Sequence, residues 1–305
     1  ESVLLRIGQM LDGPRSSPCA LPSSVTSCSS TAPRVALDLP DRCAVQKSPG
    51  WEVDDAVESA EGLPLSKFMQ AVAPPRLCPI LEDASCQRGF VHRLDVPSSG
   101  LILVAKTYAA FCDLQLQLST GSLAREYIIL CHAWVPPARR QFTQRVLSHE
   151  GLPCLAHRRG KPSLTKAKVL AHGLREGQAV SLLAASIATG RRHQIRVHTS
   201  DSGLPTLCDG RYTARRTFSS DSRWCPRNFI HRHRVAFRDS LGTPHSLVAP
   251  LPEDLTNVLA EVSPRDEVAA ERARSWRASL SKPREWADYE VLKESRGAPG
   301  RQPST

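Results

Sequence analysis

Three stretches of this chain are apolar at consecutive positions rather than alternate ones: 101–105 (LILVA), 126–135 (EYIILCHAWV) and 178–188 (QAVSLLAASIA). A strand that is apolar on both faces leaves nothing for water to solvate, so such segments belong inside a sheet that is covered on both sides. Their shortness favours strands over buried helices. Two more strands are expected at 229–237 (FIHRHRVAF) and 245–248, joined by a hairpin around Gly242 and Pro244. Residues 43–53 (CAVQKSPGWEV) have the pattern of a strand that ends in a Pro-Gly corner. At that corner Lys47 is expected as a surface lysine and Trp51 as a packing residue.

Helical patterns alternate with these strands. Residues 57–73 fit a short helix stopped by Pro74-Pro75, and Thr107 fits the N-cap of a helix with Phe111, Leu114 and Leu118 on one face and Gly121 as its stop. Ser263-Pro264 is expected to start a further helix with Ala269, Ala273, Trp276 and Leu280 on one face. Three regions follow. Residues 1–40 form a Ser/Pro-rich lead-in with room for one strand, 41–255 the main folded domain, and 256–305 a helical extension and polar tail appended to it.

With 305 residues, 41% of them apolar, the chain buries a sizeable core. Its formal charge of +10 favours an anionic partner, nucleic acid first, with a merely basic surface as the plainer reading. The ten cysteines never form a C-x-x-C pair, which argues against a zinc knuckle or a disulfide framework and for reduced, partly buried thiols. No apolar run reaches membrane-span length, so no membrane partner is expected and the chain reads as soluble and intracellular, with its compartment open. It opens at Glu1 rather than Met, which is compatible with a targeting segment ahead of it.

Two polar constellations interrupt the apolar pattern. The first, VHRLDVPSSGLILVAK over 91–106, sets Asp95 two positions after Arg93, on a turn (Val96 to Gly100) that feeds a buried strand. A carboxylate held this way on rigid sheet is a candidate catalytic group. The second, TGRRHQIRVH over 189–198, reads as strand, Gly turn and helix start, and gathers several donors at one end of the sheet. Its His193 to His198 spacing does not match a zinc motif and no carboxylate completes one, so no metal is expected. Residues 157–168 add a basic loop, with a solvated hairpin as its ordinary reading.

Taken together, HRLDVPSSGLILVAK, Arg125-Glu126-Tyr127, TGRRHQIRVH and the turn from Pro205 to Tyr212 resemble, in order and spacing, the RluA-like family of RNA pseudouridine synthases. The likeness runs from about Cys43 to Leu255. Lys47-Ser48-Pro49-Gly50 is similar to the family's early Lys-Pro-x-Gly corner, and FIHRHRVAF to its closing Leu-His-Ala strand. The resemblance implies an α+β fold: a mainly antiparallel mixed sheet flanked by helices, with an RNA cleft across one face. It also implies isomerisation of uridines in rRNA or tRNA without metal or cofactor, by a stand-alone monomer.

Carried over by position, Asp95 matches the catalytic aspartate, Arg196 the arginine that pairs with it, and Tyr127 the tyrosine that packs on the target base. Arg93 matches an arginine that holds the site open, and Ile230 an apolar lining residue. His92, Arg191 and His193 are further substrate-contact candidates. A guanidinium near Asp95 favours the ionised carboxylate, which is needed either to attack the sugar or to take a proton from it. Tyr127 offers a flat ring to a flipped uracil. The chain departs from the family at Ser98 (usually Thr), Arg125 (often Lys), Arg192 (Thr or Ser) and Cys208 (Gly). The competing expectation is a catalytically silent RNA-binding protein that keeps the fold as a chaperone or assembly factor.

Overall fold

The computed structural model describes residues 32–53, 63–73, 76–149, 152–278 and 285–292. By contacts the chain divides into two compact units, Glu1–Leu116 and Gln117–Thr305. Among the described residues no helix is long and apolar enough to cross a membrane.

In the first unit β1 (Arg34–Asp38), the strand allowed for in the lead-in, pairs antiparallel with β2 (Arg42–Lys47). The chain turns at Gly50, whose φ of +83° suits glycine, into β3 (Trp51–Glu52), which pairs parallel with β4 (Leu63–Pro64). Helix α1 (Leu65–Val72) follows and buries Leu65, Phe68 and Met69, the i, i+3, i+4 stripe of an amphipathic helix. It is the second half of the helix expected over 57–73. The first part of that span and Pro74-Pro75 lie outside the described residues. Strand β5 (Ser99–Ala105) then returns antiparallel along β2 with all seven residues buried, as its unbroken apolar run requires. Helix α2 (Tyr108–Thr120) follows Thr107, whose Oγ1 accepts from Ala110 N at 3.2 Å, and stops at Gly121 with φ +76°.

The second unit is built on five antiparallel strands. β6 (Ala124–His132) is central, as expected, and precedes three short strands, β7 (Gln141–Phe142), β8 (Val146–Leu147) and β9 (Leu155–Ala156). β8 and β9 form their own hairpin, with Arg158, Arg159 and Lys161 of the basic loop exposed beyond it. β10 (Thr165–Arg175) and β11 (Gln178–Ile187) are joined through Glu176 and Gly177, both at positive φ, the twist a two-residue hairpin demands. Helices α3 (Gln194–Asp201) and α4 (Arg215–Asp221) lead to β12 (Ile230–Arg238) and β13 (Pro244–Val248). The order is β13-β12-β6-β11-β10, with β7 also paired to β10.

Beyond Pro252 the chain does not become an appendage. Helix α5 (Glu253–Ala260) buries Leu255, Val258 and Leu259 in the core that Ile128, Leu182 and Phe229 also line. β14 (Ser263–Pro264) pairs with β10, so Ser263-Pro264 is a strand and not the start of a helix. The close approach needs Gly173, where a Cβ would stand 2.3 Å from Val262 Cγ1. Helix α6 (Glu267–Arg277) is capped instead by Asp266, which accepts from Ala269 N at 2.8 Å, and it buries Ala269 and Trp276. Leu280 lies outside the described residues. Tyr289 joins the same core and hydrogen-bonds His233 Nε2 at 2.9 Å, while Lys168 Nζ donates to the carbonyls of Trp286, Ala287 and Tyr289.

Four histidines of this unit, His172, His198, His231 and His233, are buried, and burial pushes each below its ordinary value, His231 to about 4. His231 sits with Nε2 3.1 Å from Ala249 O, the place of a neutral ring's N–H. These groups stay neutral in the fold but charge in the unfolded chain below about pH 6.5, so stability is full above that pH and falls as pH drops towards the folded values. For His231 and His233 the slope is on the order of 1 kcal/mol per pH unit each. Thermal melts are expected to drop steadily from pH 7 to 4.5. A constant Tm over that range would contradict this.

Candidate active site

The turn that carries Asp95 is fastened through its backbone. Asp95 O accepts from Ser98 N at 3.0 Å, and Val96 O accepts both Gly50 N at 2.9 Å and Lys47 Nζ at 3.1 Å. Lys47 is therefore not the surface lysine expected from its segment. It is fully buried, and its ammonium also donates to Ser48 O at 3.0 Å and Trp51 O at 2.8 Å, which ties the Pro-Gly corner to the residue after Asp95. Trp51 does pack, edge-on against Phe68. Replacing Lys47 by Ala leaves a void and strands buried carbonyls, each a loss of about 1–3 kcal/mol. Chemical denaturation of Lys47→Ala is expected to read at least about 2 kcal/mol of lost stability, and an unchanged midpoint would contradict the clamp.

Asp95 itself is half-buried and Arg93 exposed, which suits a reacting carboxylate and a substrate-facing cation. His92 is different. It is buried, and its Nε2 accepts from Leu103 N of β5 at 3.4 Å, so its ring helps fix the approach to the turn.

In the second unit Tyr127 stands on β6 across from Ala185 of β11. On its other side β12 carries a β-bulge: His231 faces Ile128 and Arg234 faces Glu126, which leaves Arg232 and His233 both opposite Tyr127. Arg232 is 1% exposed, and its Nε and Nη2 both reach Tyr127 Oη, at 2.9 and 2.5 Å, with the guanidinium carbon 5.0 Å from the ring centroid. Tyr127, expected to offer its ring to a flipped uracil, is 3% exposed in the absence of RNA, with a cation over its ring. Ile230, expected as a lining residue, is buried on β12 opposite Ile129.

Arg125 lies beside Tyr127 in sequence and is also buried, which pulls its guanidinium down to about 10. It donates to Ile187 O and Ala188 O, both at 3.3 Å, and runs beneath Gly190, where a Cβ would stand 2.8 Å from its Nη1. The glycine of TGRRHQ is thus a clearance for Arg125.

The 189–198 turn is organised by Gln194, which accepts from Thr189 Oγ1 and Arg191 N and donates to Leu164 O and Thr165 Oγ1. His193 takes a left-handed φ of +54° ahead of α3, with Nδ1 2.8 Å from Tyr212 Oη, so it shapes the turn. Arg191 is half-buried and donates to Pro162 O at 3.3 Å. Arg192 Nε is buried with no hydrogen-bond partner among the described residues.

Arg196, on α3, makes a two-pronged ion pair with Asp209: Nε to Oδ2 at 2.8 Å and Nη2 to Oδ1 at 2.7 Å. Its guanidinium carbon also lies 5.0 Å from the Tyr212 ring centroid. Asp209 is fully buried and further accepts from Thr206 Oγ1, Arg211 N and Tyr212 N. The carboxylate that holds the Nε–Nη2 edge of Arg196 is Asp209, which sequence reasoning missed although it sits in the Pro205 to Tyr212 turn. Cys208, next to it, is buried at φ +54°, a left-handed conformation that glycine adopts more cheaply.

Tyr127 is thus held by Arg232 and Arg196 by Asp209, and the Asp95 turn is fastened through its own backbone. Residues 45–201 match the family model described as RNA pseudouridylate synthase, across both constellations. The chain belongs to the RNA pseudouridylate synthase family. Among curated members of this family, ribosomal large subunit pseudouridine synthase D of Neisseria meningitidis serogroup A is 32% identical over 220 residues, 69% of this chain and 55% of the relative. Ribosomal large subunit pseudouridine synthase C of Escherichia coli K12 is 32% identical over 181 residues, 56% of this chain and 55% of the relative. The chain spans about half the length of the curated relatives it matches. Human RNA pseudouridylate synthase domain containing 1 shares the fold with a TM-score of 0.61 at 22% identity, covering 84% of this chain and 98% of that one. A second human synthase-domain protein, domain containing 4, gives 0.56 at 17% identity, covering 74% of this chain and 92% of that one. The pseudouridylate synthase family and the α+β, mainly antiparallel architecture are those expected from the sequence.

Proposed function

We propose that this protein is an RNA pseudouridine synthase, an isomerase that uses Asp95 on uridines already within RNA. The observation that carries the proposal is family membership over a span that keeps Asp95 on a backbone-fastened turn. In this reaction the bond between ribose C1′ and uracil N1 breaks, the base turns, and C5 joins C1′. The C5 proton leaves and N1 gains one, so no oxidant, metal or cofactor is required. Asp95 supplies the carboxylate, Arg196 a fixed positive charge, and Tyr127 a ring and hydroxyl for the uracil. Arg93 meets the RNA from its exposed position, with Arg191 as a phosphate contact. Removing a base from its stack costs a few kcal/mol, and stacking on an aromatic ring offsets about 1–3 kcal/mol of it.

The names of the relatives direct the search for a substrate to large-subunit ribosomal RNA, and tRNA, the other class expected from the sequence, comes next. The reading takes the protein as an intracellular monomer, and sedimentation at working concentration checks its oligomeric state. The functional test incubates the protein with total RNA from its source and maps pseudouridine, beside an Asp95→Asn control. New pseudouridine at discrete positions with wild type alone supports the proposal. RNA binding without any new pseudouridine replaces it by the silent RNA-binding reading.

A further inference from the structure

We propose that Arg232 is a positioning residue that holds Tyr127 as a hydrogen-bond donor towards the uracil that leaves C1′. This rests on the reading of Tyr127 as a substrate-facing residue in a pseudouridine synthase. Three observations carry it beyond that reading.

Arg232 is almost wholly buried in a strand of the core. Taking a guanidinium out of water costs several kcal/mol, so an aliphatic residue would fill the position more cheaply if packing were its only task. The strand is also bulged here, with Arg232 and His233 both set against Tyr127, and bulges re-aim side chains near active sites. Finally, two N–H groups of the same guanidinium converge on one phenol oxygen, at 2.9 and 2.5 Å.

A phenol hydroxyl has two lone pairs and one proton. With Nε–H and Nη2–H engaging the oxygen from the acceptor side, what the hydroxyl has left to offer is its own proton. Uracil that departs with the electron pair of the N1–C1′ bond is an anion, which a donor stabilises and an acceptor repels. Arg232 thus fixes both the place and the polarity of the hydroxyl.

The test uses the full chain and RNA from source cells that lack the gene, labelled with [5-³H]uridine, because loss of the C5 proton releases tritium to water. Single-turnover rates, filter-binding affinities and melting temperatures are measured for wild type, Arg232→Ala, Arg232→Lys, Tyr127→Phe and Tyr127→Phe/Arg232→Ala. The Arg232→Ala rate is expected to fall about 100-fold, the scale of a positioned proton donor, with RNA affinity within about threefold of wild type. Guanidinium chloride is expected to restore about tenfold of that rate and to do nothing for the double variant, whose rate equals that of Tyr127→Phe. Arg232→Lys keeps the charge without the fork, so it stays at least about tenfold slow at a near-native Tm. Should Arg232→Ala not fold, Arg232→Lys carries the test, and a wild-type rate for it overturns the inference. So does an Arg232→Ala rate near wild type, a rate loss matched by lost RNA affinity, or an unchanged fold-loss in the Tyr127→Phe background. Absence of tritium release from wild type overturns the pseudouridine synthase reading itself, and this inference with it.

Discussion

Asp95→Asn is expected to lower pseudouridine formation by on the order of 10⁴-fold or more while RNA affinity stays within about threefold. An amide has the carboxylate's shape but neither its charge nor its nucleophilicity, and it is no base for a sugar proton. The loop is expected to survive the change because it is fastened by backbone groups: Asp95 O to Ser98 N, and Val96 O to Gly50 N and Lys47 Nζ. Affinity survives for a separate reason, since phosphate contacts from a chain of formal charge +10 supply most of the binding free energy. Single-turnover rates and filter binding on the same RNA separate the two quantities. An Asn variant with a rate within tenfold of wild type, or with turnover and binding lost in step, would contradict this division.

The largest expected loss of stability is that of Asp209→Ala. The Arg196–Asp209 pair is buried on both sides, at 8% and 0% side-chain exposure. Such a pair adds little net stability over apolar residues of the same volume, yet removal of one partner strands the other charge in the core at a cost of about 3–5 kcal/mol. Asp209→Ala also leaves the N–H groups of Arg211 and Tyr212 without the oxygen they donate to, which loosens the turn. For a domain of this size the loss corresponds to a fall of roughly 10 °C in Tm. Asp209→Asn keeps the shape and part of the hydrogen bonding, and its loss is expected to be smaller. Calorimetry distinguishes these outcomes, and an Asp209→Ala protein that melts with wild type would show that the pair does not anchor Arg196.

The strands were readable because burial on both faces leaves a composition that hardly any other element produces, as in the LILVA run of β5 and the YIILC run of β6. The Asp95 turn was readable because its Pro-Ser-Ser-Gly chemistry is local. What escaped depends on partners distant in the chain. Lys47 in isolation is an ordinary lysine, and only carbonyls from 48, 51 and 96 make it a buried clamp. Asp209 meets Arg196 across 13 residues, so the turn that holds it was legible while its function as the arginine's counter-charge was not. Arg232 left a faint signal: His-Arg-His-Arg within an otherwise apolar strand cannot alternate faces cleanly, which is the condition a bulge relieves. The C-terminal segment resembled an appendage because its apolar residues are sparse, yet Leu255, Trp276 and Tyr289 suffice to seat it in the core.

The most direct test of the account is a comparison of pseudouridine maps of total RNA from source cells with and without the gene, each complemented by wild type or by Asp95→Asn. One or a few uridines are expected to lose modification in the deletion, regain it with wild type and stay unmodified with Asp95→Asn. Unchanged maps in the deletion, or full restoration by Asp95→Asn, would contradict it.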